Sequence, residues 1–241
     1  AAALKAAEPP DAKAIAAAWK LPLLRLDVGR CMGSLVGESE GNLRAAIATA
    51  EAIAPCVLFV DELEKAVAGS GTDTSGVTTR LVGQLLTWLS DKTSPVFVVA
   101  TANDVSSLPA ELLRKGRFDE TFFVDLPTAA ERMAILGVHL SMRKRDAACF
   151  DIERIADRTN GFSGAELEQV VVEALMSAWD DGARELTDAD LLRAAVETVP
   201  LSKTAAEKLA ALRAWCKGRA RPASAVEENT TLTAPSQPSQ R

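Results

Sequence analysis

The sequence predicts an α/β domain built on a parallel sheet, followed by an all-helical domain. Two five-residue runs, Cys56–Val60 and Val96–Ala100, are apolar throughout, and strands of that kind lie inside a sheet covered on both faces. Segments of helical period alternate with them, the pattern of parallel strands joined by crossover helices. After Thr128 the strand signals stop and only helical periodicity remains. The join near Pro127 is the expected boundary, giving a sheet domain over 1–127 and a helical domain over 128–217.

Each element has a local reason. Pro9-Pro10-Asp11 opens an alanine-rich helix expected over residues 13–19, and alanine is the strongest helix former. Residues 22–26 form a short strand. The next helix, over 42–53, places Leu43, Ala46, Ile47 and Ala50 on one face. Cys56–Val60 ends in Asp61-Glu62. The Gly/Ser/Thr-rich stretch 69–76 reads as an exposed loop before a helix over 77–89. Val96–Ala100 runs into Thr101-Ala102-Asn103, and residues 121–124 are a third strand candidate. Five helices are then expected, over 129–140, 152–157, 163–178, 188–198 and 204–216. The last stretch, 218–241, is rich in Pro, Ser, Thr and Gln and poor in large apolar residues, as expected of a disordered tail.

Composition excludes several function classes. With 27 basic and 33 acidic residues the net charge is −6, which argues against a broadly basic nucleic-acid surface and leaves room for a local basic pore. The four cysteines, Cys31, Cys56, Cys149 and Cys216, form no CxxC pair, and His139 is the only imidazole. Neither a structural zinc site nor a disulfide framework is implied. No apolar run approaches the ~20 residues that span a bilayer, and the alanine-rich start lacks the apolar core of a secretory signal.

Four constellations carry chemistry. Asp61 and Glu62 follow an apolar strand, at the carboxyl end where open parallel sheets collect ligands. There an aspartate suits the shell of a nucleotide-bound Mg²⁺ and a glutamate suits polarising an attacking water; the same two acids would also cap a following helix. Asn103 ends the neighbouring strand, where a carboxamide would orient that water or simply open a turn. Arg114 and Arg117, three residues apart around Gly116, are planar forks for phosphate or cations at a helix end. Gly161-Phe162-Ser163-Gly164-Ala165-Glu166 contains a capping box, and a helix start also offers N–H groups to a ligand.

Taken in order and spacing, these stretches resemble the AAA+ ATPases, in the clade of the proteasomal ATPases and hexameric unfoldases, from about Lys13 to Leu175. Within that resemblance Val57–Glu62 looks like the Walker B strand, with Asp61 toward Mg²⁺ and Glu62 catalytic. Asn103 matches the sensor-1 residue, and Arg114 and Arg117 the arginine fingers that reach a neighbouring subunit's nucleotide. His139, Gly164 and Ala165 match positions contacting the nucleotide, and Leu35-Val36 the substrate-gripping pore loop. Leu23-Arg25-Leu26-Asp27, Phe97–Asn103, Thr87-Trp88-Leu89, Val199–Ser202 and Arg219–Pro222 are similar to a subfamily of cyanobacteria and algal plastids. The resemblance implies ATP and Mg²⁺ as cofactors, a hexameric ring acting on protein clients, and a plastid stroma or bacterial cytoplasm.

The chain also departs from that family. The pattern G-x-x-G-x-G-K-[ST] is absent, and Ala7-Glu8-Pro9-Pro10-Asp11-Ala12 stands where the phosphate loop belongs. Prolines would remove two of the N–H donors such a loop uses. The strand before the loop is missing as well, which reads as an N-terminally incomplete core with unpaired strand edges, or one whose first residues pair in a new way. A nucleotide-free subunit that supplies arginines or a scaffold is the alternative. Leu35 replaces the usual pore-loop aromatic, offering less contact area.

Overall fold

The computed structural model describes residues 4–6, 10–28, 38–64, 77–114 and 116–224. They divide into two compact units, Ala1–Thr121 and Phe122–Arg241.

The first unit is a four-stranded sheet with helices. Strand β1 (Leu4–Ala6) is followed by α1 (Pro10–Trp19), β2 (Leu23–Leu26), α2 (Glu38–Ile53), β3 (Cys56–Val60), α3 (Val77–Asp91) and β4 (Val96–Ala100). The order is β1-β2-β3-β4. β2, β3 and β4 run parallel, with Leu24 opposite Leu58 and Leu58 opposite Val98. β3 is buried at all five positions because it has a strand on each edge and helices over its faces. Cys56, Leu58 and Val60 share one core with Leu43, Ala46, Ile47 and Ala50 of α2 and Leu81, Leu85 and Leu89 of α3. By alternation Val57 and Phe59 face the other side, where α1 packs on β3 through its fully buried Ala12 and Ala16.

Three expectations change here. α1 starts at Pro10, because proline's fixed φ suits the first helical position, where no N–H bond is owed. α2 reaches back to Glu38, whose carboxylate and that of Glu40 favour the positive end of the helix. The first residues do find a partner: β1 pairs antiparallel along the outer edge of β2, with Leu4 opposite Leu26. β1 and β4 are thus the terminal strands, and β4 carries an exposed aromatic. Its Phe97 is 45% exposed and meets Trp19 edge-on, with ring centroids 4.7 Å apart.

In the second unit the expected third strand shortens to β5 (Phe122–Phe123) and does not join the large sheet. It pairs in parallel with β6 (Arg221–Pro222), part of the stretch expected as a tail. Beside it, Arg213 forks Asp125 through two bonds of 2.7 and 2.8 Å, and the Ala223 N–H donates to Phe123 C=O at 2.8 Å. Helices α4 (Ala129–Met142), α5 (Ile152–Arg158), α6 (Gly164–Asp180) and α7 (Asp188–Glu197) enclose a second core around Leu136, Leu140, Ile155, Leu167 and Leu191. The helix expected over 204–216 is two, α8 (Leu201–Thr204) and α9 (Ala206–Cys216), broken where Ala205 leaves helical geometry at φ −126°.

Candidate functional site

β3 and β4 are parallel and in register to their last residues, Val60 opposite Ala100. That register delivers the residues just beyond them to one place. Thr101 N–H donates to Val60 C=O at 3.0 Å, and Leu63 N–H returns to Thr101 C=O at 2.8 Å. The Thr101 hydroxyl donates to Asp61 Oδ1 at 2.8 Å while accepting the Glu62 N–H at 3.0 Å. Glu62 adopts φ +48°, the left-handed region that side chains avoid. Asn103 Nδ2 donates to Glu62 Oε1 at 3.4 Å, and the Asn103 N–H donates to Glu64 Oε1 at 3.0 Å. Asp61 and Glu62 thus meet Asn103, 41 residues beyond Glu62 in sequence, at the carboxyl end of the sheet.

Asp61 has a further partner that sequence reasoning left without a role. Arg25, from β2, donates to Asp61 Oδ2 at 2.7 Å. Whether Mg²⁺ fits follows from this set. Among the described residues no three His, Cys, Asp or Glu side chains form a metal cage. A Mg²⁺ ion held by phosphate oxygens and waters needs only one or two carboxylates. Asp61 fits that use through a bound water, provided Arg25 gives way. The pair is 44% and 34% exposed, so it is readily exchanged.

The remaining predicted residues lie elsewhere. Arg114 is exposed, two residues beyond the buried Leu112 of the sheet-domain core. Arg117 donates to Glu111 C=O and to Ser90 Oγ at the end of α3, the helix-end use of a cation rather than a phosphate contact within this chain. In the second unit, His139 on α4 faces Arg143 and Glu168. Arg143 donates to Glu168 Oε1 at 2.8 Å, and His139 Nδ1 lies 3.7 Å from the same oxygen. Arg143, with help from His139, holds the Glu168 carboxyl below the ordinary range. Gly164 and Ala165 form the first turn of α6, capped by Ser163 and Glu166 in the predicted capping box. Leu35 and Val36 lie outside the described residues.

Sequence reasoning missed Arg25, Thr101 and Glu64. The available signal was parity. Beyond the end of a paired strand, residues of the neighbouring strand's extension must supply partners for the carboxylates, and Thr101 is the first polar residue after Val96–Ala100.

Comparison with known proteins gives the family of the chain. Residues 11–126 match the family described as ATPase family associated with various cellular activities (AAA), and residues 149–193 match the AAA+ lid domain. An uncharacterized AAA domain-containing protein ycf46 of Pyropia yezoensis is 49% identical over 216 residues, 88% of this chain and 44% of that protein. The proteasome-activating nucleotidase of Aeropyrum pernix is 37% identical over 189 residues, 76% of this chain and 46% of its own. The chain spans less than half the length of these curated relatives. Among solved structures, the FIGL-1 AAA domain superposes with a TM-score of 0.70 over 87% of this chain and 72% of its own, at 23% identity, a likeness of fold alone.

Proposed function

This chain belongs to the AAA+ ATPase family, and from that premise we propose that it carries the hydrolytic half of an ATP site in a protein-remodelling ring. The observation behind the reading is the clasp that sets Glu62 beside Asn103, 3.4 Å apart at the ends of adjacent parallel strands. Glu62 is the base that polarises water toward the γ-phosphate, and Asn103 orients that water. Asp61 would help to hold a nucleotide-bound Mg²⁺, which would neutralise charge on the phosphates. Arg114 and Arg117 serve a neighbouring subunit's site, for which Arg117 must leave its bonds to Ser90 and Glu111. His139, Gly164 and Ala165 meet the nucleotide from the lid, and Leu35-Val36 grips a threaded protein. The ring is a hexamer and works in a plastid stroma, in keeping with ycf46 relatives from algae.

Glu62→Gln tests the assignment, since it keeps the side chain's size and removes its basicity. Bound ATP is expected to persist while hydrolysis falls by roughly 100-fold or more, the scale of a positioned general base. Unchanged turnover removes Glu62 from the role.

A second reading is favoured by two observations. No G-x-x-G-x-G-K-[ST] pattern occurs in the sequence, and Arg25 already neutralises Asp61. On that reading the chain binds no nucleotide and supplies arginines or a scaffold to active partners. Saturable ATP binding by these 241 residues alone rejects it.

A further inference from the structure

Glu64 is the one carboxylate of the strand-end cluster to which the proposed chemistry gives no task. It lies two residues beyond Glu62 and is only 8% exposed. Its Oε1 accepts the Asn103 N–H at 3.0 Å, while its Oε2 is buried with no hydrogen-bond partner. A buried carboxylate is costly to desolvate, and an orphaned oxygen adds to that cost. An apolar side chain at this place would avoid both, so the carboxylate must be judged by the one bond it makes.

That bond has a specific consequence. Beyond Val96–Ala100 the ladder to β3 ends with Thr101, whose N–H and C=O are both taken by the backbone at Val60 and Leu63. Asn103 lies past the last of those bonds and is exposed. Nothing in the backbone ladder fixes its peptide plane. Glu64 does so, with an acceptor supplied from β3's own extension. The side chain of Asn103 then projects to Glu62 Oε1 at 3.4 Å. Glu62 and Glu64 therefore grip one residue at two atoms, the carboxamide and the backbone N–H. Glu62 itself adopts the left-handed backbone, φ +48°, two residues before Glu64.

We propose that Glu64 is a positioning residue, acting through the Asn103 backbone to hold the Asn103 carboxamide against Glu62. The inference rests on the hydrolytic reading only for its catalytic consequence; the anchoring itself is a separate claim and is measured separately.

Two variants test it, Glu64→Gln and Glu64→Leu. Glutamine retains an acceptor oxygen at the same reach, and leucine has nearly the same bulk without one. Amide hydrogen exchange on the intact chain gives the first readout. In Glu64→Leu the Asn103 amide is expected to exchange at least about tenfold faster, with Thr101 and Leu63 unchanged and Glu64→Gln close to the parent. Uniformly faster exchange in Glu64→Leu signals general unfolding, and the decision then falls to Glu64→Gln alone: Asn103 protection retained supports the anchor, and protection lost while Thr101 keeps its own overturns it. Unchanged Asn103 exchange in a folded Glu64→Leu overturns it outright. The second readout is ATP hydrolysis in whatever assembly turns over. Glu64→Leu is expected to lower kcat about tenfold with KM held within twofold, and Glu64→Gln to restore most of it. If Glu62→Gln also leaves turnover intact, the hydrolytic reading has failed, and the exchange result still decides whether Glu64 anchors Asn103.

Discussion

Glu62 illustrates how one residue's backbone can set a site. At φ +48° it occupies a region that costs a non-glycine residue about 1 kcal/mol or more. The cost is offset where its N–H lands on Thr101 Oγ1, whose own hydrogen goes to Asp61. Threonine serves both bonds because one hydroxyl donates and accepts at once. Arg25 completes the neutralisation of Asp61 from β2, and this gives a prediction at the same scale. Exposed ion pairs contribute about 0.2–1 kcal/mol, so removing the guanidinium should favour a competing cation by at most about fivefold. Arg25→Met keeps the apolar stem along β2. Titrating Mg²⁺ against nucleotide binding should show its apparent affinity raised within that limit; a loss of affinity would mean that Arg25 helps to hold the phosphates. Asp61, Glu62 and Asn103 were legible from the sequence because an apolar run ends visibly. Their partners were not, since Arg25 and Glu64 sit at positions that only the strand register brings near.

At the scale of elements, legibility followed burial. Cys56–Val60 was read correctly to the residue because a strand covered on both faces must be apolar throughout; Val96–Ala100 was bounded correctly too, but as a terminal strand it buries only Val96 fully. β5 was not, because its partner Arg221–Pro222 lies about a hundred residues away in sequence, and the nearby Asp125–Arg213 salt bridge spans 88 residues. The loop before α6 was read as a capping box, and the structure adds a close approach that no local pattern could reveal. Gly161 has φ +80°, and a Cβ there would lie 2.3 Å from Ser202 Oγ at the start of α8. Gly161→Ala should therefore destabilise the lid by about 1–3 kcal/mol, from the backbone region alone and more with the clash. Combining it with Ser202→Gly relieves the contact and leaves the φ strain, so thermal melts should recover part of the loss. Full recovery would assign the whole effect to Ser202, and none would assign it to φ.

For the molecule as a whole, two units with separate cores invite the question of what holds each at different pH. The lid leans on charge. Asp190 is 3% exposed yet takes hydrogen bonds from Arg184, Arg193 and Thr187. Arg184 above all, helped by Thr187, outweighs burial and holds this carboxyl well below the ordinary aspartate value. At Asp125 burial pushes the carboxyl up, but the Arg213 fork and the Leu126 N–H overcome it and the net shift is downward. Both groups are depressed on folding. Their stabilisation is fully present above the unfolded value of about 4 and is lost as pH falls toward the folded ones. Hydrogen exchange on the whole chain should thus show amides of α6 and α7 losing protection between about pH 4 and pH 2. Asp190→Asn sharpens the test. At neutral pH it should destabilise the lid by about 1–3 kcal/mol, the cost of leaving buried donors poorly satisfied. The gap between variant and parent should close as the parent's own Asp190 takes up its proton. A gap that stays constant down to pH 2 would trace the loss to packing rather than charge, and the carboxylate would cease to account for the acid response of the lid.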